Sequence, residues 1–187
     1  MMVQIGHRYS HDIDIFLDDP QLLGFIDPSR SHLRFERMPT HYFGDGIRFQ
    51  KFSFGSVGEI DFIVGPSLTA APFEMLEIEG SKVRIETIAE IITKKIFYRG
   101  RIAKPRDIFD IAAAAQCHHR MLIEALGAFP DQVAMTRAHL ERLDPDFVQR
   151  TIAEMAIMPN YQELIVDSLR LSKLLLEEVL SLSQPGR

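Results

Sequence analysis

The spacing of apolar and polar positions divides the chain into a strand-like part and a helical part. Near the start the period is two: His11-Asp12-Ile13-Asp14-Ile15-Phe16 alternates, which predicts a strand with Ile13 and Ile15 on one side and Asp12 and Asp14 on the other. A loop containing Asp18, Asp19, Pro20, Asp27, Pro28 and Ser29 follows, and the apolar patch Leu22, Leu23, Phe25 and Ile26 inside it reads as a helical turn. Residues 33–54 hold two or three short strand candidates, including Ile47 to Phe54. Gly55-Ser56-Val57-Gly58 is a turn and Glu59-Ile60-Asp61-Phe62-Ile63-Val64 the next strand, so the two runs predict a β-hairpin that Gly65-Pro66 ends. One further strand is expected over Val83 to Ile85.

From Thr87 onward the period becomes helical. Ile88, Ile91, Ile92 and Lys95 stand at i, i+3, i+4 and i+7 and share one face, with Lys94 falling off it. Gly100 is a stop and Pro105 a start. Ile108 to Gln116, with its run of alanines, predicts a second helix. Asp131 and Asp144-Pro145 mark further starts, and Pro159 opens a last helix to about Ser181. Strands first and about five helices after them give an α/β (α+β) chain. The expected organisation is a mixed sheet core at 1–86 and a helical region at 87–187 packing on it. There is no internal repeat, and only the short tail Gln184-Pro185-Gly186-Arg187 is compositionally biased.

Composition bounds this picture. With 187 residues the chain fits one compact domain, or a small one with a helical lobe. The net charge of −5 argues against a broad basic face for nucleic acid, and leaves room for a local cluster of Lys and Arg around a phosphate. A single cysteine, Cys117, excludes a disulfide framework and a cysteine-rich zinc site; it reads as a packing residue in a reducing compartment. The N-terminus carries no apolar h-region, and no apolar run approaches the ~20 residues that span a bilayer. A soluble cytoplasmic protein without membrane contact is expected.

The carboxylates are the candidates for chemistry. Two aspartates one residue apart on a strand project from the same face, with Cβ atoms roughly 6–7 Å apart, within reach of one or two divalent ions. The plain alternative is two solvated aspartates on an edge strand, although Asp is disfavoured in strands. Asp61, between Ile60 and Phe62, points away from the apolar face and could add the third carboxylate of a two-metal site, or be a half-exposed strand residue. Lys95, at the end of an apolar stripe, either snorkels to solvent or meets an anion, and Arg99 extends the same line. Arg106 and Asp110, four apart, read most simply as a surface ion pair. His7 and His11 flank the Asp pair and read as ordinary loop and strand residues, and the adjacent His118 and His119 diverge by about 100° on a helix.

Taken together, Gly6 to Phe16, Glu59-Ile60-Asp61-Phe62, Glu86 to Ile96 and Lys104 to Asp110 resemble the AbiEii/AbiGii toxin family of nucleotidyltransferases, within the DNA-polymerase-β-like superfamily. The agreement in order and spacing runs over residues 6–115. The resemblance implies a metal-binding set of Asp12, Asp14 and Asp61. It implies that Ser10, Lys95 and Arg106 contact nucleotide, and that Asp61, Lys95 and Asp110 serve catalysis. It also implies an NTP substrate, Mg²⁺ in a two-metal site, an RNA acceptor and a cognate antitoxin. One motif departs: the superfamily's Gly-Gly or Gly-Ser pair, on a helix start roughly a dozen residues before Asp-x-Asp, would fall before Met1, where Met1 to Ile5 resembles the tail of that helix. The expectation is an upstream start or a shortened member. Two rival readings accompany the enzyme: a catalytically impaired binding or regulatory protein on the same fold, and a metal-dependent phosphohydrolase.

Overall fold

The structure, a computed structural model, describes residues 1–28 and 35–183. Ser29, the start of the 33–54 stretch and the tail from Gln184 lie outside the described residues. In chain order the elements are α1 (Met2–Ile5), β1 (Ile13–Leu17), α2 (Leu22–Ile26), β2 (His41–Gly44), β3 (Phe49–Ser53), β4 (Glu59–Val64), β5 (Phe73–Ile78), β6 (Ser81–Glu86), α3 (Ile88–Arg99), α4 (Pro105–Leu126), α5 (Pro130–Leu140), α6 (Pro145–Ala153) and α7 (Leu164–Ser183). This is a mixed α+β architecture, as the change of period along the chain predicts. The chain forms two compact units, one of Ser10–Ser67 and one of Met1–Tyr9 with Leu68–Arg187. The last strand ends at Glu86 and α3 begins at Ile88, while the compact units divide at Tyr9/Ser10 and Ser67/Leu68.

In the Ser10–Ser67 unit the sheet order is β1-β4-β3-β2, with β1 parallel to β4 and the other pairs antiparallel. The expected hairpin is β3–β4, closed by a 3₁₀ turn at Gly55–Val57. Register places Ile13 beside Ile60, Ile15 beside Phe62 and Phe52 beside Ile60, so one face is apolar. Phe52 is its centre, buried and ringed by Phe35, Phe62 and Tyr42 at centroid distances of 5.3, 5.7 and 6.3 Å. The apolar patch after β1 does form a helix, α2, which buries Leu23. β1 begins at Ile13, two residues later than the alternation predicts, so Asp12 precedes the strand instead of sharing its face with Asp14.

In the other unit, the hydrophobic core runs through α3, α4 and α7, from Ile88, Ile92 and Ile96 to Ile108, Phe109, Leu122, Leu175 and Val179. Burying each such side chain is worth roughly 1.5–3 kcal/mol. Residues 107–114 of α4 are all buried, because helices cover it on more than one side, and Ser172 on α7 donates to the Ile108 carbonyl (2.9 Å). That encirclement explains two differences from periodicity. Asp110 lies off the apolar stripe yet is 1% exposed. Lys94 lies off the α3 stripe yet is 5% exposed, pairing with Glu86 on β6 (2.5 Å) and Glu90 (3.5 Å). Cys117, expected inside, is exposed beside a break in α4 at His118 (φ −134°), with its Sγ 3.4 Å from the Tyr161 hydroxyl.

The β5–β6 hairpin turns on Glu79 and Gly80, both at positive φ, as a type I′ turn requires. Its first strand escaped the sequence reading because Phe73, Met75, Leu76 and Ile78 break strict alternation. The N-terminal residues belong to this unit: Tyr9 donates its backbone N–H to the Ala156 carbonyl (2.9 Å), and Met158 to that of His7 (3.1 Å). Among the described residues no helix is long and apolar enough to cross a membrane.

Candidate active site

The parallel register of β1 and β4 sets Asp14 directly beside Asp61, and the antiparallel register of β3 sets Lys51 on Asp61's other side. The three make a charged row on the sheet face opposite Ile13, Ile60, Phe62 and Phe52. Lys51 donates from Nζ to Glu59 Oε2 (2.5 Å) and stands 3.2 Å from Asp61 Oδ2. The other oxygen, Asp61 Oδ1, is buried and has no hydrogen-bond partner among the described residues. Burial pushes the Asp61 carboxyl above its ordinary range; Lys51 opposes the shift and the nearby charge of Asp14 adds to it.

A buried carboxylate oxygen with no donor, beside a second carboxylate, fits a cation. Among the described residues no three His, Cys, Asp or Glu side chains form a ready-made metal cage. Mg²⁺ does not require one, since it keeps waters and takes substrate phosphate oxygens besides one or two carboxylates.

Asp12 is exposed at the entrance to β1, and Ser10 is half-buried two residues earlier. The chain here is fixed by Gly58, whose φ of +138° is one that L side chains rarely adopt. A Cβ at Gly58 would lie 2.0 Å from the His11 carbonyl oxygen. The β3–β4 turn therefore presses directly on the backbone that delivers Asp12.

A second cluster is built on α3, α4 and the N-terminal segment. Asp110 accepts from His7 Nε2 (2.7 Å) and from Arg8 at both oxygens, Nε to Oδ1 (2.7 Å) and Nη2 to Oδ2 (3.0 Å). Lys95 bridges Asp107 Oδ1 (2.8 Å) and Asp110 Oδ2 (3.0 Å), and Arg99 donates to Asp107 (2.7 Å). Burial alone would raise the Asp110 carboxyl; the hydrogen bonds from His7 and Arg8 and the charges of Lys95 and Arg8 outweigh it and hold it far below the ordinary range. Asp107 is likewise raised by burial but more strongly lowered by Lys95 and Arg99. His7 is 1% exposed and stacks on Phe109 at 6.0 Å, with its Nδ1 buried and unpartnered among the described residues. Lys95 meets anions, as one of its two readings had it. Arg106 is exposed, and the partners of Asp110 are His7, Arg8 and Lys95, so the simple Arg106–Asp110 surface pair gives way to a buried network.

Three participants were missed in the sequence. Lys51 was readable in principle: counting back from the Gly55–Gly58 turn pairs it with Asp61. Arg8 and His7 had no signal, because their partner lies 102 and 103 residues away.

No curated protein and no solved structure matches the chain. A family model does, over residues 1–180 of 187: the nucleotidyl transferase AbiEii toxin of type IV toxin–antitoxin systems. The match extends well past the motifs at 6–115 and takes in α5, α6 and most of α7. The chain is thus a member of the AbiEii family of nucleotidyl transferase toxins.

Proposed function

We propose that this toxin transfers a nucleotide from an NTP to an RNA hydroxyl and uses Mg²⁺ held by Asp12, Asp14 and Asp61. The observation that carries the reading is the in-register Asp14–Asp61 pair with Asp61 Oδ1 buried and unpartnered. Mg²⁺ bound there would supply charge neutralisation on the triphosphate and lower the barrier to in-line displacement.

The chain's own residues do the rest. Asp61 orients the acceptor hydroxyl and accepts its proton as oxygen attacks the α-phosphorus. The bond from that phosphorus to the bridging oxygen breaks, and pyrophosphate leaves with the electron pair. Ser10, Lys95 and Arg106 hold the nucleotide, Lys95 offsetting charge on the departing phosphates. Asp110 supports this by fixing Lys95 and Arg8, and an antitoxin is the natural counterpart that limits the activity.

The test is transfer of an α-labelled NTP to a mixed RNA pool. Wild type should label RNA, and Asp14→Ala and Asp61→Ala should each lose at least a hundredfold. Equal labelling by all three would remove the carboxylate assignment, and phosphate release without labelled RNA would replace transfer by hydrolysis.

A further inference from the structure

The C-terminal end of α3 leads into a 3₁₀ turn, Gly100–Ile102, that lies against α5. Two contacts fix that approach. A Cβ at Gly100 would meet Thr136 Oγ1 at 1.9 Å, so the turn sits against the helix only because residue 100 is glycine. His139 Nε2 on α5 hydrogen-bonds the Ala103 carbonyl (3.1 Å). Between the turn and α5 run two adjoining hollows of about 380 and 350 Å³ that share Arg101 and Met135.

The walls of this groove have one sign of charge. Arg99, Arg101 and Arg142 line it, together with Tyr98, Ile102 and Met135, and no Asp or Glu does. Arg99 is committed to Asp107, whereas Arg101 and Arg142 are exposed and have no ion-pair partner among the described residues. Tyr98 is 54% exposed, and its ring is braced edge-on by Phe97 (5.0 Å), which is braced in turn by Phe129 (5.3 Å). Arg101 shares the first hollow with the open Tyr98 ring, and Arg142 extends the positive wall along the second. Guanidinium groups for phosphates and a ring face for a base are the two elements by which single strands are held without base-pair readout.

We infer that the groove between the Gly100–Ile102 turn and α5 binds a single-stranded segment of the RNA acceptor, with Arg101 and Arg142 on its phosphates and Tyr98 under one base. The inference rests on the acceptor reading above. It predicts where that acceptor is gripped.

Binding is measured by fluorescence anisotropy with a labelled twelve-nucleotide single-stranded RNA, in EDTA and without NTP, across a salt series. The Arg101→Glu/Arg142→Glu double variant should bind at least tenfold more weakly. Its log–log salt slope should be flatter by about 1.4, from two phosphate contacts at roughly 0.7 each. Tyr98→Ala should lose roughly tenfold with the slope unchanged, and Tyr98→Phe should restore binding. Arg120→Glu/Arg150→Glu, the same charge change at exposed positions elsewhere, should stay within about twofold of wild type on the same salt argument.

Equal losses in both double variants would overturn the groove, as would competition by AMP as effective as by the unlabelled strand, or displacement by polyglutamate at RNA-like concentrations. Because the assay needs no transfer, weak labelling by a variant that binds RNA normally would count against the catalytic reading alone. Intact labelling with RNA binding insensitive to the groove would count against this inference alone.

Discussion

Asp110 shows how one buried charge can organise a site it need not touch. It is 1% exposed and is held by an imidazole, a guanidinium and an ammonium. Removing one member of such a network strands the others in a dry environment, so Asp110→Asn should cost about 3–5 kcal/mol by urea denaturation. The sign of the pH dependence follows from the depressed carboxyls of Asp107 and Asp110. Their unfolded values are near 3.9, so their stabilisation is complete above about pH 5 and is lost as pH falls through the lower folded values. Asp61, raised by burial, acts oppositely and is relieved by protonation. Three depressed carboxyls, Asp107, Asp110 and Asp45 (the last held down by the backbone N–H groups of Arg48 and Ile47), against one raised carboxyl predict a urea midpoint that declines from pH 5 to pH 3, and declines less in Asp110→Asn. A midpoint flat to pH 3 in wild type would show that the network contributes no ionic stabilisation.

At the scale of elements, what sequence could reveal depended on how many neighbours an element has. The β3–β4 hairpin, α2, the starts of α4 and α6, and the placement of Asp61 were legible because each is a local pattern of turn chemistry and alternation. Lys94 and Asp110 were misplaced because α3 and α4 are covered on several sides, where a single apolar stripe no longer defines the inside. Gly58 was legible as a turn residue but not as the support of the strand entrance, since its contact with His11 spans 47 residues of chain (58 − 11). Gly58→Ala combines a disfavoured φ with a backbone clash and should destabilise the protein by about 1–3 kcal/mol. It should also reduce transfer more than an equally destabilising Leu23→Val, because the displaced backbone carries Asp12. Parallel losses in the two variants, with activity matched at equal stability, would reduce Gly58 to a folding role.

Across the whole molecule, burial is divided unevenly between the two compact units. The contiguous core from Ile88 to Val179 lies entirely in the unit built on α3 to α7. In the Ser10–Ser67 unit the fully buried apolar side chains among the described residues are Leu23 and Phe52, while Ile13, Phe25, Phe43 and Ile47 are more than half exposed. A unit that removes so little apolar surface from water has little to offset its chain entropy, so its opening free energy should be the smaller of the two. The carboxylate row therefore sits on the unit expected to open more readily, which suits the metal and nucleotide proposed for it. Native-state hydrogen exchange should give amides of β3 and β4 at least tenfold less protection than those of α4 and α7. Mg²⁺ with NTP should raise protection in β1 and β4 first, because a ligand that binds only the folded unit adds RT ln(1 + [L]/Kd) to its stability. Uniform protection across both units without ligand would mean that they open as one cooperative body, and that the uneven burial has no energetic consequence.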